Sequence, residues 1–132
     1  MTKEYGVKLC CLKDGSLQPN DFSHLDHIGV AYEALLKHEF FEAVCIIADG
    51  IREMALRTNA PEKFNATITL AFMSLIAERM KTRSYRDVDD FILRNADLAD
   101  KSVLSSWYSS DRLTSQLARS IPLLPDIAPR TI

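Results

Sequence analysis

Residues 61–80 have the sequence PEKFNATITLAFMSLIAERM. At 100° per residue, apolar side chains cover most of the circumference of a helix with this sequence. Only a narrow strip is polar, formed by Lys63, Thr67, Ser74 and Glu78. A helix with so little polar surface must be surrounded by other helices, so the stretch predicts the central helix of a small bundle.

Two polar residues, Asn65 and Thr69, lie one turn apart inside the apolar sector of this helix. Buried polar side chains need hydrogen-bond partners. Asn65 could link two helices, and Thr69 could bond the carbonyl one turn back. Alternatively, the amide and the hydroxyl could both contact a bound small molecule.

The composition is typical of one soluble globular domain. The chain has 132 residues, of which 47% are hydrophobic and 26% are charged. A net charge of −2 without a basic face argues against nucleic acid as a partner. No apolar run reaches the roughly 18–20 residues of a membrane span, and no signal peptide is recognisable. Three cysteines form neither a disulfide framework nor a zinc motif, so we expect reduced thiols and a cytoplasmic location.

Several further helices are predicted around the central one. Ser23 and Asp26 form a variant of the capping box and open a helix that runs to Lys37. One apolar stripe predicts a second helix from Phe40 to Arg57. Three short helices are expected over residues 84–94, around Val103, Leu104 and Trp107, and from Ser109 or Ser110 to Arg119. Gly29 and Gly50 fall inside helices, where a small residue permits close packing of a neighbour.

Both ends of the chain lack a clear helical pattern. Residues 5–18 contain Asp14-Gly15 between short runs that favour extended structure, which is a hairpin signal. Three prolines after Ile121 predict an irregular tail. The prediction is therefore a single all-α bundle with about three long and three short helices over residues 22–120. An irregular or short β-ribbon arm (1–21) precedes it, and a tail (121–132) packs on it.

His24 and His27 lie in the first turn of the predicted 24–37 helix, on the face that should be buried. The helix dipole and burial favour neutral imidazoles there, which suit hydrogen bonding and acid–base chemistry. The alternative is that both rings satisfy backbone or carboxylate partners between helices. Zinc needs three or four ligands, and beyond this pair the sequence offers only poor candidates. No metal and no other cofactor is predicted.

Trp107, Tyr108 and Arg112 could form the lid or wall of a pocket, with Arg112 pairing a carboxylate or phosphate. Such an aromatic pair at a helix junction is otherwise part of the core. Arg79, near the end of the central helix, fits a ligand contact or a salt bridge to Asp87 or Asp90 equally well.

Three motifs occur in a characteristic order: His24-Leu-Asp-His27, then Phe64-Asn65-Ala-Thr67-Ile-Thr69, then Tyr108-Ser-Ser-Asp-Arg-Leu113 before Pro125-Asp126. With these motifs, residues 22–126 resemble a family of small bacterial proteins with an uncharacterised function. Its members carry His-x-x-His, Tyr-His-x-Thr-x-Thr and Tyr-Ser-x-(Glu/Asp)-Arg-Leu stretches. The resemblance implies an all-α fold and no established activity. Asn65 stands where the family usually has histidine.

Two functions follow as hypotheses. The leading one is a cytoplasmic small-molecule-binding domain, for which catalysis is an open question, with a pocket between the first turns of the 24–37 helix and the central helix. His24 and His27 would act as acid–base or hydrogen-bonding groups there, and Asn65 and Thr69 would orient the ligand. The alternative is a non-catalytic structural or interaction module that forms a homodimer. Its motivation is that Cys45, Ile46 and Leu56 widen the apolar surface of the second helix.

Overall fold

The computed structural model describes residues 5–127, apart from the side chain of Lys101. Within this range the chain is all-α, as predicted, and forms no strand; none of its helices is long and apolar enough to cross a membrane. The α-helices are α1 (Tyr5–Asp14), α2 (His24–Lys37), α3 (Phe40–Arg57), α4 (Ala66–Thr82), α5 (Val88–Arg94), α6 (Ser110–Leu113) and α7 (Gln116–Ser120). Short 3-10 turns occupy Pro19–Asp21, Pro61–Lys63, Ala96–Ala99 and Lys101–Ser106.

Helices α2 and α3 have the bounds that local signals predicted. The capping box at the start of α2 is formed, because the Ser23 hydroxyl accepts the amide of Asp26 at 3.2 Å and the Asp26 carboxylate accepts the amide of Ser23 at 3.0 Å. At the start of α3, the Glu39 carboxylate accepts the amide of Glu42 at 2.7 Å. Side chains close to each helix start therefore satisfy its free amides, independently of tertiary packing.

The central helix, α4, begins later than the sequence predicted. Pro61–Lys63 is a separate 3-10 turn, and Asn65 has an extended backbone (φ −133°, ψ 112°). The Asn65 side chain accepts the amide of Ile68 at 2.9 Å, so Asn65 is the N-cap of α4. The start of the helix is therefore set by an asparagine cap and not by the proline at residue 61.

The predicted β-ribbon or irregular arm is wrong over residues 5–14, which form helix α1. Gly15, at φ 82°, adopts the left-handed conformation that ends many helices. Asp14-Gly15 is therefore a helix stop and not a hairpin turn. Residues 1–4 of the predicted arm lie outside the described part of the chain.

Helix α1 packs on α2 and α3 where each carries a glycine. A Cβ atom on Gly29 would overlap the ring of Tyr5, and one on Gly50 would overlap the side chain of Leu12. Tyr5 and Leu12 are both buried. The prediction that these glycines permit close helix packing is confirmed, and the neighbour they receive is the helix that the sequence pattern missed.

The region after α5 is more broken than predicted. The expected helix around Val103 and Trp107 is a 3-10 turn over Lys101–Ser106. The Asp100 carboxylate accepts the amide of Ser102 at 2.9 Å and caps the start of this turn. The expected helix up to Arg119 is divided into α6 and α7, because the Ser115 hydroxyl accepts the amide of Ala118 at 3.1 Å and caps α7. Side-chain caps thus interrupt both stretches.

Residues 121–127, here called the C-terminal segment, form no helix or strand and lie against the first turn of α4. The sequence placed Thr67 on the polar strip of the central helix, but Thr67 is only 1% exposed. Its hydroxyl lies 3.0 Å from the carbonyl oxygen of Ala118 and 2.9 Å from that of Ile121, and it accepts the amide of Leu123 at 2.9 Å. At Thr67 the polar strip therefore faces the C-terminal segment and not solvent. Residues 128–132 of the predicted tail lie outside the described range.

Candidate functional site

A cavity of about 320 Å³ lies between α2, α3 and α4. Its lining is mainly apolar, and Leu104 and Leu113 extend it toward the C-terminal half. The polar lining residues are His24, His27, Lys63, Asn65 and Thr69. The structure thus brings together, on one cavity, the four residues that the sequence proposed for a pocket between the first turns of two helices.

His24 is half-buried and held in a defined orientation. Its Nε2 atom lies 2.9 Å from the carbonyl oxygen of Leu98, and its ring meets Phe72 edge-to-face at 5.4 Å between centroids. A carbonyl oxygen can only accept, so Nε2 carries a proton. In the neutral ring Nδ1 is then the acceptor, which makes His24 a base with one fixed tautomer.

His27 is the second half-buried imidazole of the site. Its ring stacks on Phe22, with centroids 4.0 Å apart and 27° between the planes, and lies 6.4 Å from the ring of His24. Among the described residues, no three His, Cys, Asp or Glu side chains form a group that could hold a metal ion. The histidine pair therefore offers hydrogen-bonding or acid–base groups on an aromatic wall.

Asn65 and Thr69 differ in how far the protein itself uses their polar atoms. The Asn65 oxygen accepts the amide of Ile68 at 2.9 Å, and its nitrogen donates to the carbonyl of Leu113 at 2.8 Å. Both ends of this amide are thus committed to the fold. The half-buried Thr69 hydroxyl has no hydrogen-bond partner within residues 5–127, and the expected bond to the carbonyl one turn back is not formed. Thr69 therefore presents an unbonded hydroxyl to the cavity.

Trp107 and Arg112 are not among the residues that line the cavity. The Arg112 guanidinium donates from Nε to the carbonyl of Leu124 at 2.7 Å, and the Trp107 carbonyl accepts the amide of Ile127 at 3.0 Å. The neighbouring Tyr108 hydroxyl donates to the carbonyl of Leu123 at 2.9 Å, and burial raises the pKa of this phenol. In the structure these three residues hold the C-terminal segment and do not form a lid over the cavity.

Arg79 contacts a different acid from those suggested by the sequence. Its guanidinium forms two parallel bonds, of 2.7 and 2.8 Å, to the carboxylate of Asp97 and a third, of 3.2 Å, to Asn95. The hydrogen bond from Arg79 lowers the pKa of Asp97. Of the two alternatives for Arg79, the salt bridge is formed, but its acid is Asp97 and not Asp87 or Asp90. Arg79 therefore stabilises the junction between α4 and the turn at residues 96–99.

Lys63 is a residue of the site that sequence reasoning missed. The sequence pattern places it on the polar strip of the central helix, and it is exposed, but it also lines the cavity. Its ammonium group has no ion-pair or hydrogen-bond partner among the described residues. The available signal was its position two residues before the Asn65 cap, which puts a cation beside the first turn of α4.

No family model, no curated protein and no solved structure matches this chain. The resemblance carried by the His-x-x-His and Thr-x-Thr motifs is therefore an expectation without independent support.

Proposed function

We propose that this protein is a small-molecule-binding domain whose ligand occupies the cavity between α2, α3 and α4. The observation that carries the proposal is the convergence of His24, His27 and Thr69 on one largely apolar cavity. Ligand sites commonly have volumes of about 300–1,000 Å³, an apolar lining and a few convergent polar groups. The volume of about 320 Å³ suits a ligand at the small end of this range.

The polar residues of the site would have distinct roles. Thr69 would donate a hydrogen bond to the ligand or accept one from it, because its hydroxyl is unbonded within the described residues. His24, fixed by Leu98, would offer Nδ1 as an acceptor or base, and His27 would contribute the second imidazole. Asn65 would act indirectly, by fixing the first turn of α4 and its contact with Leu113.

The proposal includes a cytoplasmic location, in keeping with three free thiols in the described chain. A catalytic version requires His24 or His27 to exchange a proton with the bound molecule.

The test is a titration of ¹⁵N-labelled protein with three eight-carbon probes of different charge: 1-octanol, octanoate and octylamine. We expect at least one probe to shift the amide signals of cavity residues in α2 and α4 in a saturable manner. Absence of saturable shifts with all three probes would overturn the proposal.

A matched pair of variants separates cavity binding from binding at the surface. Thr69→Leu puts a larger side chain on the cavity wall and should weaken every probe that binds. Ser74→Leu makes the same kind of change at an exposed position of α4 that does not line the cavity. Equal affinities of the two variants would show that the probes bind elsewhere.

The second candidate function is a homodimer formed through the outer face of α3. Phe41 and Leu56 are 72% and 60% exposed, and Cys45 between them is exposed as well. Ile46, which the sequence also placed on this surface, is half-buried and packs against the core. An ion pair between Asp49 and Arg52 interrupts the apolar surface, which weakens this alternative.

Sedimentation equilibrium tests the dimer. A dimer that uses this face should dissociate in Phe41→Arg, whereas Leu93→Arg, an equally exposed apolar position on α5, should leave the mass unchanged. A native protein that is monomeric at high concentration would remove this candidate.

A further inference from the structure

We infer that the ligand of this cavity is an apolar molecule with one anionic head group, of the class of medium-chain aliphatic carboxylates. This inference rests on the proposed function and names the chemistry of its ligand. Three features of the cavity carry it: the charge of its lining, the hydrogen-bonding state of its polar atoms and its size.

The first feature is charge. Among the described residues that line the cavity, Lys63 is the cation and none is an aspartate or glutamate. The chain as a whole has a net charge of −2, so this positive lining runs against the overall charge of the protein. A cationic ligand would find no counter-charge in the lining, whereas an anionic ligand would find the ammonium group of Lys63.

The second feature is the state of the polar atoms. Lys63 and Thr69 both have side chains without a partner in the described chain, while Asn65 and the Nε2 atom of His24 are bonded to backbone groups. The unbonded donors are thus the ammonium group of Lys63 and the hydroxyl of Thr69, and each can donate to a carboxylate. Hydrogen bonds to an ionised group are stronger than those between neutral groups, so a carboxylate gains more from either donor than an alcohol does.

The third feature is the shape of the polar distribution. The polar lining residues come from the turn at 61–63 and from the first turns of α2 and α4. The following turns contribute only apolar lining: Ile28, Ala31, Phe72, Met73 and Ile76. An amphipathic lining of this kind fits an anionic head beside Lys63 and a hydrocarbon body among the aliphatic side chains.

Size restricts the hydrocarbon body. A volume of about 320 Å³ lies at the lower end of the range of about 300–1,000 Å³ for ligand sites. We therefore expect a hydrocarbon chain of medium length, near eight carbons. A chain of about sixteen carbons would be too long to keep its head group beside Lys63 with its hydrocarbon body inside the cavity.

Isothermal titration calorimetry with octanoate, 1-octanol and octylamine at pH 7.5 tests the inference. We expect octanoate to bind about tenfold more tightly than 1-octanol, and octylamine to bind more weakly than either. Octanoate affinity should fall about threefold to tenfold in Lys63→Met, while the affinity for 1-octanol stays unchanged. Raising the salt concentration should weaken octanoate alone.

Lys81→Met is the matched control, because Lys81 is an exposed lysine of α4 that does not line the cavity. Equal binding of octanoate and 1-octanol, or equal effects of Lys63→Met and Lys81→Met, would overturn the anionic ligand class while the cavity site itself stands. Failure of all three probes to bind, or equal affinities of Thr69→Leu and Ser74→Leu for the probes that do bind, would instead overturn the proposed function. The two failures are therefore distinguishable.

Discussion

Thr67 and Thr69 are two residues apart on the same helix, yet they lie in opposite chemical situations. The Thr67 hydroxyl is buried and has three backbone partners in α7 and the C-terminal segment. The Thr69 hydroxyl lines a cavity and has no partner within the described residues. The bonded threonine belongs to the architecture, and the unbonded one is the candidate for function. Burial of a polar residue alone does not separate these roles, but its hydrogen-bonding state does.

The largest change in stability is expected for a substitution of Thr67, the hydrogen-bonded threonine. Thr67→Val keeps the shape of the side chain and removes the hydroxyl, which leaves the carbonyl of Ile121 and the amide of Leu123 without their partner. We expect a loss of about 2 kcal/mol in the free energy of unfolding, because a buried polar group without a partner costs about 1–3 kcal/mol and these two groups are partly buried. Urea unfolding followed by circular dichroism measures the loss, and a change below about 1 kcal/mol would contradict the assigned role of Thr67.

An intermediate effect is expected for His24, which lines the cavity but is bonded to Leu98. His24→Phe keeps a ring against Phe72 and removes the donor, so the Leu98 carbonyl loses its partner. The expected loss in unfolding free energy is about 1 kcal/mol. A stability equal to that of the native protein would show that the bond to Leu98 contributes nothing to folding. His24 would then resemble Thr69, whose hydroxyl is not expected to stabilise the fold.

A smaller effect, which depends on pH, is expected at the end of the C-terminal segment. The Asp126 carboxylate accepts the hydroxyl of Ser109 at 2.6 Å and its amide at 2.8 Å, and these bonds lower the pKa of Asp126. A carboxyl with a lowered pKa in the folded state stabilises the fold above its unfolded value of about 3.9. This contribution is lost as the pH falls through the folded-state pKa.

Asp126→Asn should therefore be less stable than the native protein at pH 7. The difference in stability should shrink as the pH is lowered below the pKa of the carboxyl group in the unfolded chain. Urea midpoints of the two proteins at pH 7 and pH 3 measure the difference. A gap of the same size at both pH values would mean that the ionised form of Asp126 does not hold the segment.

The smallest change in stability is expected for a substitution of Thr69, the threonine without a hydrogen bond in the described chain. Thr69→Val has the same shape change as Thr67→Val, but no hydrogen bond of the described chain is lost. We expect a change within about 0.5 kcal/mol, or a slight gain in stability, because groups kept for function often do not contribute to folding. A loss as large as that of Thr67→Val would remove the distinction between the two threonines and with it the main support for a ligand site.

Much of the fold could be predicted from residues that act over one or two turns. The start of α2 was predicted from Ser23 and Asp26, and the buried face of α2 from its apolar period. That face carries His24 and His27, and both line the cavity. The prediction of a pocket that includes Asn65 and Thr69 rested on the same periodic argument applied to the central helix.

Errors arose where one local signal fits two structures. Asp14-Gly15 is compatible with a hairpin turn and with a helix end, and the presence of Gly29 and Gly50 on α2 and α3 shows why the helix was chosen. Because these glycines have no side chain, Tyr5 and Leu12 of α1 pack directly against α2 and α3. The sequence of residues 5–18 alone does not contain this information. The break between α6 and α7 has a local cause, because Ser115 caps α7. The sequence does not show that this cap outweighs the tendency of the residues around it to continue one helix.

The sequence by itself determined the all-α class, the bounds of α2 and α3, and the faces on which the histidines and threonines lie, because caps and periodicity act between near neighbours. The tertiary structure decided which polar atoms are satisfied. It brought the C-terminal segment to Thr67, Asp97 to Arg79 and Lys63 to the cavity. These pairings join residues far apart in the chain, and packing among alternative neighbours selects them. The division of α4 into a bonded side and a cavity side is therefore a property of the folded protein.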